Sequence, residues 1–158
     1  GAEGEWLSSQ LQDAARDLAE MYFDAHQHDI GAIIDGSLMA GYDEGELRER
    51  FIRAASLSTA YALISRCGYD PEAYFEEADV AFLTEWNSPS AATALGSAVS
   101  ENTQLVLREI ERTIYGCFYL GLSATQIAMQ ENKHPRRVSE SIQKGIKKLR
   151  ERISVNFL

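Results

Sequence analysis

Apolar residues recur every three or four positions along most of this chain. In the first such stretch, from Glu5 to about His26, the apolar positions are Trp6, Leu7, Leu11, Ala14, Leu18, Met21 and Ala25. This spacing places them on one face of a helix, with acidic residues and glutamines on the opposite face. The next stretch, DIGAIIDGSLMAGY at 29–42, is apolar and interrupted by glycines, so it predicts either a short helix or a buried connection.

Polar residues at fixed offsets predict where the later helices begin and end. Asp43 followed three residues on by Glu46 has the pattern of a capping box. It predicts a helix over about 44–67, which Gly68 would end by adopting a left-handed conformation.

Two proline-containing sequences, DPE at 70–72 and SPS at 88–90, predict further helix starts, because each places a capping residue before a proline at the first helical position. One or two short helices are expected between the first of them and Trp86. Gly96 and Ser97 interrupt the apolar pattern, and a longer helix is expected over about 101–119. We expect a helical unit over about 1–98 and a second unit over 99–158 that is reached through this longer helix.

Composition agrees with a helical fold. Alanine, leucine, glutamate and arginine dominate, apolar residues make up 45% of the 158 residues, and no stretch alternates convincingly as a β-strand would. The sequence therefore predicts an all-α protein, a helical bundle with a small C-terminal unit.

Charge divides the chain further along, at residue 120. Residues 1–120 hold 7 Lys+Arg and 21 Asp+Glu, whereas residues 121–158 hold 8 and 3, so net charges of −14 and +5 sum to −9. A uniformly acidic chain would argue against nucleic acid as a partner, but a basic C-terminal segment does not.

The basic segment, GLSATQIAMQENKHPRRVSESIQKGIKKLRER at 121–152, predicts two helices joined by a tight turn. Ser123 and Gln126 have capping-box spacing at the start of the first helix. Asn132 suits the turn, and Pro135 suits the first turn of the second helix. One apolar stripe then follows the second helix: Val138, Ile142, Ile146, Leu149 and Ile153. This is the pattern of a helix-turn-helix, whose second helix enters the major groove of DNA.

The segment resembles the helix-turn-helix of region four of bacterial sigma factors and of the related response-regulator DNA-binding domains. GLS at 121–123, QIA at 126–128, Asn132 at the turn and KKLRE at 147–151 align with that family's usual run without a gap. It departs from the family where Glu131 and Lys133 replace aliphatic residues. The resemblance implies a non-enzymatic transcription regulator or a sigma-region-four-like factor.

The predicted DNA-contacting residues follow from this geometry. Arg136, Arg137 and Lys144, together with Lys133 and Lys147, would hold phosphate, while Ser139, Glu140 and Gln143 would reach base edges. The alternative is that 135–153 is a solvated terminal helix that contacts no DNA. A helical protein–protein interaction module, or a homodimer formed through the N-terminal helices, is the rival function.

A second resemblance covers residues 55–113, which are similar to helical segments accompanying antirestriction-type proteins of conjugative elements and phages. It implies a mobile-element origin and carries no catalytic motif. The acidic part of the chain is further expected either to repel DNA or to mask the basic segment.

No catalytic residue, metal site or cofactor is expected. His26 and His28 are two positions apart and would point to different faces of a helix, and the carboxylates at 76–79 have no nucleophile or histidine nearby. Cys67 and Cys117 lie in apolar helical patterns, which indicates buried thiols. Together with the absence of a signal peptide or a membrane-spanning run, they predict a cytoplasmic protein without a membrane partner.

Overall fold

The computed structural model describes residues 1–35, 37–121 and 126. These residues form four α-helices: α1 (Ala2–Ile34), α2 (Glu44–Arg66), α3 (Glu77–Val80) and α4 (Pro89–Tyr119). Short 3-10 helices at Leu38–Gly41, Pro71–Ala73 and Ala81–Trp86 connect them. The described residues contain no strand, and the predicted all-α class is confirmed.

The first helix is longer than its apolar pattern predicted. His26 departs from helical geometry, with φ −121° and ψ 18°, at the position where the helix was expected to end. The chain then re-enters the helix because Ile30 and Ile34 are buried on the same core. The apolar, glycine-interrupted stretch is therefore a kinked continuation of α1 followed by a 3-10 helix.

The second helix begins and ends as predicted. The Asp43 carboxylate accepts from the Glu46 backbone N–H at 2.8 Å, and the Glu46 carboxylate accepts from the Asp43 backbone N–H at 3.2 Å. These two bonds satisfy donors that the first turn of a helix leaves unpaired. Gly68 has φ +87°, the left-handed conformation that follows a helix end.

The fourth helix corrects one prediction. Ser88 caps it and Pro89 opens it, as expected, but α4 continues without a break through Gly96 and Ser97 to Tyr119. Ala91, Ala94 and Ala98 are buried on one face, so packing maintains the helix across the glycine. The predicted boundary between residues 98 and 99 thus falls within one helix. The division into 1–98 and 99–158 stays a prediction, since most of the second unit lies outside the described residues.

The three long helices pack side by side around two apolar clusters. One cluster joins the second half of α1 with the first halves of α2 and α4, through residues such as Phe23, Phe51 and Ala98. The other joins the first half of α1 with the later parts of α2 and α4, through Leu11, Leu18, Leu63, Ile64 and Val106. Hence α1 runs antiparallel to α2 and α4. Residues 67–88, here called the returning segment, connect the end of α2 to the start of α4 along the bundle.

Two buried polar residues separate these clusters. Thr59 lies one turn from Ala55 of the first cluster and from Leu63 of the second. Asn102 has the same relation to Ala98 and Val106 on α4. Neither the Thr59 hydroxyl nor the Asn102 side-chain amide N–H group has a hydrogen-bond partner among the described residues. These two polar side chains therefore divide the apolar interior of the bundle into two parts.

Two glycines in long helices are expected to respond oppositely to alanine. A Cβ at Gly4 would collide with the Tyr74 hydroxyl and contact the Tyr69 ring, whereas a Cβ at Gly96 would meet nothing within 4 Å. Gly4→Ala should therefore lower the free energy of unfolding by about 1–3 kcal/mol through overpacking. Gly96→Ala should raise it by up to about 1 kcal/mol through helix propensity. Urea unfolding of the two variants measures both, and equal effects would contradict the packing at Gly4.

Within residues 1–35 and 37–121, no helix combines the length and apolar content needed to cross a bilayer.

Candidate functional surfaces

The predicted DNA-contacting residues lie outside the described part of the chain. They are Lys133, Arg136, Arg137, Ser139, Glu140, Gln143, Lys144 and Lys147, and their roles stay predictions. The structure reaches the start of the motif: α4 ends at Tyr119, and Gly121 follows with φ +63°. Gln126, the expected capping-box residue, is helical and exposed.

A network of charges joins the exposed sides of α1 and α2. Arg48 binds Asp24 through two nitrogens, at 3.1 and 3.3 Å. Arg16 lies 3.4 Å from Glu20 and 3.7 Å from Glu49. The hydrogen bond with Asp24 raises the pKa of Arg48 above its ordinary value. Each pair is solvent-exposed and adds at most about 1 kcal/mol. Their main consequence is that these cations are already partnered by carboxylates of the bundle.

A second charged cluster holds the returning segment against α2. Arg50 donates to the Glu85 carboxylate at 3.0 Å and stacks on the Tyr42 ring, 4.0 Å from its centroid. The Tyr42 hydroxyl donates to the same carboxylate at 3.3 Å. This arrangement positions Trp86, which is buried against Phe51.

A shallow cleft of about 280 Å³, here the lateral cleft, lies between α1, α2 and the returning segment. Leu57, Phe75 and Phe82 form its apolar side, and Arg16 and Arg53 lie at its edge with two aspartates. The Arg53 guanidinium stacks on Phe82, 4.0 Å from the ring centroid. The aromatic residues of 61–86 belong mainly to the core: most of their rings pack on the two apolar clusters. Tyr61 is the exposed exception, at 38%.

A larger cleft of about 460 Å³, here the terminal cleft, opens between the end of α1, the following 3-10 helix and the start of α2. Phe23, Ile34, Met39 and Leu47 form its apolar floor, and Asp35 and Glu44 stand on its rim. Its volume is within the range of about 300–1,000 Å³ typical of ligand pockets. Sequence reasoning missed this cleft. The sequence feature that corresponds to it is the apolar, glycine-interrupted stretch at 29–42, which forms one wall of the cleft.

The described residues assemble no metal-binding group of histidine, cysteine or carboxylate side chains. His26 stacks on Tyr22 with ring centroids 4.1 Å apart, and its Nδ1 lies 2.9 Å from the Tyr22 carbonyl oxygen. This local contact explains the position of His26, one of the two histidines that the sequence places close together at 26–28. At 76–79, the Asp79 carboxylate accepts from the Glu76 backbone N–H at 2.8 Å and so serves as a cap.

The Cys67 thiol is partly buried and is not in a disulfide. Burial raises its pKa above the ordinary value. The thiol therefore stays protonated at neutral pH, the opposite of what a nucleophilic cysteine requires.

Comparison with known proteins gives no match: no protein-family model, no curated protein and no solved structure matches this chain.

Proposed function

We propose that this protein is a non-enzymatic DNA-binding transcription regulator, or a sigma-region-four-like factor, that contacts DNA through residues 121–152. The observation that carries the proposal is the separation of charge, −14 in residues 1–120 and +5 in residues 121–158, which coincides with the gap-free helix-turn-helix pattern. A cytoplasmic location and origin in a mobile element belong to the same proposal.

The described bundle supports this proposal because most of its arginines are already paired with its own carboxylates. Arg16, Arg48, Arg50 and Arg112 each lie within 4 Å of a carboxylate of the bundle. Exposed carboxylates outnumber arginines over the rest of its surface. Such a surface repels a duplex, so the approach is restricted to the basic segment.

In the proposed complex, the side chains make two kinds of contact, to phosphates and to base edges. Arg136, Arg137, Lys144, Lys133 and Lys147 hold phosphates and thereby set the position of the second helix. Ser139, Glu140 and Gln143 face the major groove, where hydroxyl, carboxylate and amide groups can distinguish base edges.

The test is fluorescence anisotropy of the full chain on a library of labelled promoter-like duplexes. Five phosphate contacts predict a slope of about −4.5 for log K against log salt. Affinity should then fall by about five hundredfold between 50 and 200 mM salt. Absence of salt-sensitive binding across the library would refute the proposal.

The second candidate is a helical protein–protein interaction module without DNA contact. The terminal cleft favours it, because an apolar floor with a polar rim is typical of partner-binding sites. Under this alternative, Arg136→Ala with Arg137→Ala leaves partner capture unchanged. Under the first proposal, the same change removes DNA binding.

A further inference from the structure

We infer that the terminal cleft is a docking surface for residues 135–153 of the same chain. The cleft offers the half-buried Tyr42 and Leu47 beside the buried Phe23, Ile34 and Met39, and it has the carboxylates of Asp35 and Glu44 on its rim. Such a surface fits a segment that carries aliphatic side chains on one side and cations on the other.

Acidic residues dominate the part of the chain that builds this cleft. Between Arg16 and Arg48 the chain has no lysine or arginine and eight acidic residues, of which Glu20 and Asp24 pair with Arg16 and Arg48: Asp17, Glu20, Asp24, Asp29, Asp35, Asp43, Glu44 and Glu46. Among the described residues, Asp29, Asp35 and Glu44 form no ion pair. With Asp35 and Glu44 on its rim, the mouth of the cleft is negative.

The proposed occupant has the complementary pattern. Residues 135–153 contain seven lysines and arginines and two glutamates, and the aliphatic positions from Val138 to Ile153 recur at helical spacing. An aliphatic side would cover the floor of the cleft while the cations meet the rim.

The chain is long enough for this contact to be intramolecular. Ala91, near the start of α4, packs in the same apolar cluster as Ile34 and Met39. From Ala91 to Tyr119 the helix is about 42 Å long at 1.5 Å per residue. With the predicted helix over about 124–131, residues 120–134 can span about 36 Å, and residues 135–153 reach about 28 Å further as a helix. The segment can thus return to the terminal cleft.

The docked contact does not require that the protein binds DNA, but its effect on DNA binding rests on the proposed function. The cations that would meet the cleft are those proposed to hold phosphate. A chain with residues 135–153 docked would therefore be unable to bind DNA, and DNA would displace the segment from the cleft.

The distribution of lysine provides a specific test. All four lysines, Lys133, Lys144, Lys147 and Lys148, lie in or next to the proposed occupant. A carbodiimide joins lysine amines to carboxylates in direct contact. Apart from links to the N-terminal amine and links to the nearby Glu131, Glu140 and Glu151, every crosslink in the full chain therefore reports a neighbour of this segment. At low micromolar protein, mass spectrometry should find these remaining links mainly at Asp35 and Glu44.

A matched pair of variants separates docking from general attraction. Ala32 is exposed and lines the terminal cleft, whereas Ala78 is exposed on α3 among Glu77 and Asp79 and lines neither cleft. Ala32→Arg and Ala78→Arg change the net charge equally. Ala32→Arg should reduce the Asp35 and Glu44 crosslinks by about fivefold through like-charge repulsion. Ala78→Arg should leave them within about twofold. Circular dichroism and thermal midpoints verify that both variants fold.

Three results would overturn the inference. They are crosslinks spread over the acidic surface without preference for the terminal cleft, equal effects of the two variants, and crosslinks joining labelled to unlabelled copies in an isotope mixture. Cleft-specific crosslinks that a DNA duplex does not displace would support docking and count against the proposed function.

Discussion

Replacing Arg136 and Arg137 with alanine should weaken DNA binding by at least a hundredfold. Both residues stand at the start of the second helix of the predicted helix-turn-helix, where the phosphate backbone comes close. A hydrogen bond to a charged group contributes about 1.5–3 kcal/mol, so two lost contacts account for about 3–6 kcal/mol. The slope of log K against log salt should also fall in magnitude by about 1.8. Anisotropy titrations at several salt concentrations measure both quantities.

The matched control removes two arginines from the acidic bundle. Arg66 at the end of α2 and Arg108 on α4 are exposed and form no ion pair among the described residues. Arg66→Ala with Arg108→Ala makes the same change in net charge and should alter affinity by less than about threefold. Equal losses in the two double variants would mean that net charge, and not the helix-turn-helix, governs binding.

Helix starts were predicted well from the sequence, because a cap depends on a few adjacent residues; the exception is the start expected near residue 101, which lies inside α4. Asp43 with Glu46, Asp70 with Pro71, and Ser88 with Pro89 all begin helical segments in the structure. Each works through a side-chain oxygen that accepts a nearby backbone N–H, an interaction that is fully specified within four residues. Local chemistry of this kind can be read without knowledge of the rest of the fold.

Helix ends set by tertiary packing could not be predicted in the same way. Gly96 weakens the local preference for helix by about 1 kcal/mol relative to alanine. Buried alanines on both sides of it pack against the bundle and outweigh that cost. At His26 the local pattern predicted a helix end where the structure has a kink. The continuation of α1 depends on Ile30 and Ile34 reaching a core formed by distant segments.

The candidate surfaces also differ in whether the local sequence identifies them. The predicted DNA-contacting residues form a continuous stretch, so their pattern is visible in the sequence. The terminal cleft is built from three separate elements, and the layer of Thr59 and Asn102 appears only when α2 and α4 are side by side. Nothing in the spacing of either residue along its own helix identified it as buried.

Phe51→Ala should destabilise the bundle more than any other substitution considered above, lowering the free energy of unfolding by about 3–5 kcal/mol. Phe51 is fully buried, and its ring lies 5.5 Å from that of Phe23, 5.7 Å from that of Trp86 and 6.1 Å from that of Tyr22. It therefore joins α1, α2 and the returning segment in one cluster, and alanine leaves a cavity where the three meet. Because a domain of this size is stable by about 5–15 kcal/mol, the loss is a large fraction of the total.

Tyr61→Ala is the control for this prediction, since Tyr61 lies on the same helix, is 38% exposed and has one ring neighbour, Phe75, at 6.1 Å. It should cost less than about 1.5 kcal/mol, because solvent fills the space that the ring leaves. Urea unfolding followed by circular dichroism at 222 nm compares the two variants. A loss in Phe51→Ala no larger than that in Tyr61→Ala would show that the three segments do not meet at Phe51. The terminal cleft shares Phe23 with this cluster, so the docking surface would then lose its floor as well.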